Sequence, residues 1–340
     1  PTAACSTSAR RSRALAAEPA PAEPSPRSVR AVLLRLALFL AGICVLAWLV
    51  VETGPAAVWS TLTNGVRILP LIMVVDFGYF VAEALAHRAV LGERAKTIPT
   101  RVFVRTTLLG YVVNALLPLG RAGAEVARAA AFSRYVGMGR ATAAGTNVQV
   151  TAFVANTFIS TLCWLASASM LGPGHLLSWL LLGNGVLTLG LAIGTFTLLR
   201  QTRLGQGLSR RFPNVAARFT GLGEGLAATR GELGRAALFA CSARMVQIGM
   251  YAGLLVAIGA TLTLGGTLLA LGVHLVGAGL GDLVPNQVGV LEGVYRVFAD
   301  ALSLGDDPAR AISIALLARV SQVGVATLAM AGIAILRRDE

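Results

Sequence analysis

Long apolar runs decide what this chain can fold into. Eight stand out, at 31–51, 68–91, 102–117, 141–171, 176–199, 236–260, 262–283 and 312–336. Roughly 20 helical residues cross a hydrocarbon core of about 30 Å, and most of the runs reach that length. Inside a bilayer the backbone has no water to bond, so these runs are expected to be helices. The composition agrees: 55% of residues are hydrophobic and 13% charged, about half the charged share of an average soluble domain. The chain therefore reads as an all-α, polytopic helical membrane protein.

The formal net charge is +13, and Lys96 is the sole lysine. A basic soluble protein would point to nucleic acid. Here the arginines sit mainly at the ends of apolar runs, where they act as topological signals and meet anionic headgroups, so no nucleic-acid partner is read. Cys5, Cys44, Cys163 and Cys241 show no ligand spacing and read as small packing residues. The three histidines are scattered, so no metal and no cofactor is expected.

Residues 1–30 are rich in Ala, Ser, Pro and Arg and read as a disordered cytoplasmic leader. The chain opens on Pro1, which reads as a trimmed start. A signal peptide is the rival reading of 1–50, but the run at 31–51 is too long for a signal core. Beyond it lies an internal repeat. Glu125 follows Pro118 by seven residues, Glu292 follows Pro285 by seven, and the two prolines are 167 residues apart. The same shift carries the run at 68–91 onto that at 236–260 to within two residues, 102–117 onto 269–284, and 145–171 onto the last run.

Positive charge collects on the cytoplasmic side. If 102–138 and 262–302 are re-entrant hairpins, every basic cluster falls inside: Arg94, Lys96 and Arg101; Arg134 and Arg140; the Arg-rich link 200–235; and Arg337 and Arg338. The turn at 172–175 and Asp306-Asp307 fall outside. Each half, 31–171 and 172–340, then has three crossings plus a hairpin, and the odd number inverts one half relative to the other. This places both termini in the cytoplasm; a bacterial cytoplasmic membrane is the expected location.

The candidate site residues gather at the two Pro-to-Glu segments. The first carries Asn114, Pro118, Arg121, Glu125 and Arg128; the second carries Asp282, Pro285, Asn286, Gln287, Glu292 and Arg296. Each proline breaks a helix and exposes backbone groups that need polar partners. A charge at the bilayer centre costs about 2.5 to 17 kcal/mol, so such residues pair or serve a function. Arg121 and Arg128 could hold a phosphate beside Glu125, or the three could simply pin the hairpin. Glu292 and Arg296 are spaced for a helical ion pair. Asp76 and Glu83 form a polar stripe on one span, His87 reads as interfacial, and Asn147, Asn184, Arg244 and Gln247 read as interhelical hydrogen-bonding groups. Broken helices at matching positions of two repeats point to a transporter's site. The chain has no Walker-type phosphate loop, no HExxH and no GxSxG.

At these two segments, Leu117-Pro118-Leu119-Gly120-Arg121-Ala122-Gly123-Ala124-Glu125 and Pro285-Asn286-Gln287-Val288-Gly289-Val290-Leu291-Glu292, the chain resembles the transmembrane domain of the lysylphosphatidylglycerol synthase/flippase family. The family has Gly-Gly where this chain has Asn286-Gln287. The resemblance spans roughly residues 33–336. It implies movement of a lipid headgroup between leaflets, with an anionic or aminoacylated phospholipid or a polyprenyl-phosphate lipid as partner. The chain ends four residues after its last run, so synthase activity is not expected. A homodimer is left open. The alternatives are a proton- or ion-coupled transporter of a small solute and, behind it, an intramembrane transferase acting on a lipid-linked substrate.

Overall fold

The computed structural model describes residues 26–116, 120–200, 232–281, 284 and 287–338. Most of the leader and of the Arg-rich link lie outside the described residues, as do Pro118, Asp282, Pro285 and Asn286. Among the described residues there are eleven α-helices and no strand: α1 (Pro26–Thr53), α2 (Pro55–Gly65), α3 (Leu69–Leu91), α4 (Thr100–Leu116), α5 (Gly120–Val136), α6 (Met138–Met170), α7 (Leu176–Arg200), α8 (Leu233–Ala257), α9 (Leu264–Gly281), α10 (Val290–Val297) and α11 (Pro308–Arg338). Among the described residues seven helices are long and apolar enough to cross a membrane: α1, α3, α6, α7, α8, α9 and α11. The chain is thus a polytopic all-α membrane protein. The sixth of these, α9, falls within the segment 262–302 expected to be a re-entrant hairpin.

Helix boundaries follow the chemistry of the chain. Pro55 opens α2 at a position where its missing N–H is not needed. Gly137, at φ +83°, separates α5 from α6, a backbone angle that glycine adopts without a steric penalty. The last span extends beyond its apolar run: α11 includes Pro308-Ala-Arg310 at one end and Arg338 at the other.

α3 and α8 make the most extensive helix contact, with α6 and α11 beside them. The shift of 167 residues relates α3 to α8, α4 to α9, α5 to α10 and α6 to α11, and the packing pairs off in the same way. α4 packs on α5 as α9 packs on α10; α5 on α6 as α10 on α11; α4 on α11 as α9 on α6; α6 on α8 as α11 on α3.

One buried cluster, including Ile72, Ile159, Leu254, Leu271, Tyr295 and Ile314, joins α3, α6, α8, α9, α10 and α11. A second, with Val90, Phe103, Phe132, Ala144 and Val148, ties α4 and α5 to α3 and α6. Within it the rings of Phe103 and Phe132 stack at 5.6 Å, holding α4 against α5. Large apolar side chains elsewhere point outward, among them Trp48, Trp59, Trp179 and Val186, as lipid-facing surfaces require.

Candidate functional site

α3 carries Asp76, Tyr79, Glu83 and His87 at spacings of three and four, which stacks them along one side of the helix. Asp76 is buried and accepts from Tyr111 Oη of α4 at 3.1 Å and from Ser321 Oγ of α11 at 3.4 Å. Tyr79 Oη donates to Glu83 Oε1 at 2.8 Å. The Arg244 guanidinium of α8 lies 5.8 Å from the centre of the Tyr79 ring, within cation–π range. Its Nη1 donates to Gln247 Oε1 at 2.8 Å, a bond within α8 where the sequence pointed to one between helices. Asn184 does bond across helices, to Ser160 Oγ of α6 at 2.9 Å.

The next turn of α3 meets α5. Arg128 Nη1 donates to Glu125 Oε1 at 2.6 Å, a charge-assisted bond at i,i+3. His87 Nε2 lies 3.2 Å from both Glu125 oxygens and 3.1 Å from Arg128 Nη1. The sequence placed His87 at the interface. The structure instead buries it, 5% exposed, because its position one turn after Glu83 faces α5. Arg128 is also buried, and its Nε has no hydrogen-bond partner among the described residues.

Two small clefts follow one another along the seam between α3 and α6. Glu83 and Ala86 of α3, Val148, Thr151, Ala152 and Ala155 of α6, and Ala240, Ala243 and Arg244 of α8 line the first. His87 and Leu91, with Glu125, Arg128, Ala129 and Phe132 of α5 and Ala141, Ala144 and Gly145 of α6, line the second. The α6 wall of both is almost entirely small residues, which lets neighbouring helices approach closely. The charged side chains all come from the other helices.

The second segment is built differently. Glu292 on α10 is completely buried. It accepts from Arg319 Nη2 of α11 at 2.8 Å and from the Gly289 N–H at 2.8 Å. The helical spacing had pointed to Arg296 as its partner; Arg319 takes that place because α10 packs directly on α11. Gly289, at φ +79°, backs onto Gly42 of α1, where a Cβ would collide with the Gly42 carbonyl. Gln287 also has a positive φ, 55°, and its Nε2 donates to Ala278 O at 3.4 Å.

The remaining candidates scatter. Asn114 is exposed near the end of α4, Asn147 is buried on α6, and Arg296 is half-buried on α10. Arg121 lies on α5, with its side chain outside the described residues. His87 and Arg319 are the partners that the sequence reading missed. Arg319 carried a signal of its own, an arginine in the middle of a spanning segment, which is a functional candidate by default.

The family model described as the lysylphosphatidylglycerol synthase TM region matches residues 32–329, from α1 through most of α11. The chain belongs to this family. Both Pro-to-Glu segments and both clefts fall within the span of the lysylphosphatidylglycerol synthase TM region. No curated protein and no solved structure matches the chain.

Proposed function

We propose that the chain moves a lipid headgroup between leaflets along the α3–α6 seam, with the acyl chains left in the bilayer. Membership of the lysylphosphatidylglycerol synthase TM region family ties it to a membrane-lipid function. The observation that carries the finer reading is the buried Arg128 at the second cleft. Glu125 and His87 hold one edge of its guanidinium, while Nε stays without a partner among the described residues. A buried donor left unmade costs about 1–3 kcal/mol, and a phosphate oxygen is the acceptor that a headgroup would bring. Arg128 would hold the phosphate and Glu125 would orient Arg128. The small residues of α6 leave the phosphate room.

In this reading the halves are inverted repeats with opposed re-entrant hairpins, supported by the paired packing of α3–α6 with α8–α11 and by the distribution of arginine. The bound lipid is an anionic or aminoacylated phospholipid, or a polyprenyl-phosphate lipid. Glu292, sealed against Arg319, holds the second tip in place. The membrane is the bacterial cytoplasmic membrane, with both termini inside. A coupled small-solute transporter is the second reading, favoured by Glu83 and Arg244 lining one cleft together.

Purified protein in vesicles carrying a headgroup-labelled phospholipid separates the two. Faster loss of inner-leaflet label than in protein-free vesicles supports lipid movement. Solute-driven currents with no change in label would favour the second reading.

A further inference from the structure

His87 makes three contacts that one protonation state cannot satisfy together. Its Nδ1 lies 3.1 Å from the backbone carbonyl of Glu83. A carbonyl oxygen only accepts, so Nδ1 carries a hydrogen. The other nitrogen, Nε2, faces a carboxylate that only accepts, on Glu125, and a guanidinium that only donates, on Arg128. A neutral ring accepts from Arg128 Nη1 and has nothing to offer Glu125. A ring protonated at Nε2 donates to Glu125 and can take nothing from Arg128.

We infer that His87 Nε2 is a proton-binding site whose occupancy switches the ring between Arg128 and Glu125. The proton forms one N–H bond and breaks the hydrogen bond from Arg128 Nη1. The cluster gains one positive charge, and the Arg128 guanidinium is released from the ring toward the cleft. An anionic phosphate entering that cleft would balance the added charge. A proton and an anionic headgroup would then occupy the site together. This consequence rests on the proposed lipid path; the proton site itself does not.

Among the described residues the groups seen to face the ring are few. Glu125 and Arg128 come from α5, and Glu83 from α3 itself. α6 brings only Ala141, Ala144 and Gly145 to this cleft, and α4 brings Gly110 against Arg128. Arg244 of α8 belongs to the adjoining cleft. Asp76, with Tyr111 and Ser321 of α4 and α11 on it, lies about three turns away along α3.

Nitrogen-15 NMR of histidine-labelled protein in phosphatidylcholine vesicles tests the site. The His87 signals are assigned by their loss in His87→Gln or, where that variant does not fold, by removing His175 and His274. The expected neutral form carries its hydrogen on Nδ1, and acidification adds the second proton at Nε2. Glu125→Gln should lower the imidazolium fraction. A neutral form protonated on Nε2, a ring that does not change with pH, or indifference to Glu125→Gln would overturn the inference.

Leaflet exchange of labelled phosphatidylglycerol, measured against pH, tests the coupling. The wild-type profile should be lost in His87→Gln. An unchanged profile in that variant overturns the coupling. If wild-type protein moves no lipid while the NMR result holds, lipid translocation fails and the proton site stands.

Discussion

The guanidinium of Arg128 occupies the space that a side chain on Gly110 would fill. A Cβ at Gly110 would collide with Arg128 Nε and Cζ, so the absence of a side chain on α4 is what seats the arginine of α5 beside Glu125. Gly145 of α6 is open in the same way toward Glu125 Oε2. The cluster is thus held from two sides by glycines as well as by its own hydrogen bonds.

Gly110→Ala should therefore act on the site more than on the fold. The far end of an arginine can swing aside, so the stability change should stay within about 1 kcal/mol. The displaced guanidinium should lower leaflet exchange by about tenfold or more, since shifts near 1 Å can cost that much. Thermal unfolding in detergent and the vesicle assay check the two halves separately.

Arg319→Leu should destabilise the protein by about 3–5 kcal/mol, the usual cost of leaving a buried charge without its partner. Glu292 has no exposure through which water could replace the arginine. Adding Glu292→Leu should recover part of the loss. Denaturant unfolding of the single and double variants measures both, and a loss below about 1 kcal/mol for the single variant would contradict the pairing.

The spans were legible in the sequence because length and hydropathy fix them locally. The run at 176–199 became Leu176–Arg200 and that at 68–91 became Leu69–Leu91. α2 was not legible: Pro55-Ala-Ala-Val-Trp-Ser-Thr-Leu-Thr-Asn-Gly65 mixes polar and apolar residues without a run long enough to stand out. The partners of the buried charges were hidden for another reason. His87 and Glu125 are 38 residues apart, and Glu292 and Arg319 are 27 apart. Only helix packing brings them together. Local spacing made Arg128 a candidate beside Glu125, and that contact forms; it made Arg296 a candidate beside Glu292, and Arg319 occupies that position instead.

Gly289→Ala should loosen the second tip from α1. The residue would have to adopt φ +79° and press a methyl group on the Gly42 backbone. Backbone strain alone is worth about 1–3 kcal/mol, and the collision adds to it because backbone cannot swing aside. Gly42→Ala should show a similar loss, since its Cβ would meet the Val288 carbonyl. Unfolding midpoints of both variants provide the measurement, and wild-type stability in either would contradict the contact.

Tyr111→Phe should cost about 1–3 kcal/mol by removing the shorter of the two hydroxyl bonds to buried Asp76. The same change in an Asp76→Ala background should cost less, since the hydroxyl then has no carboxylate to meet. A double-mutant cycle on unfolding free energy reads the difference.

The central claim is that lipid crosses beside Arg128 and Glu125. Leaflet exchange of labelled phosphatidylglycerol in vesicles, compared between wild type, Glu125→Gln and Arg128→Gln at equal folded protein, tests it most directly. The account predicts accelerated exchange by the wild type and a loss of about tenfold or more in both variants, in line with removal of a positioned charged group. Equal rates in all three would contradict it.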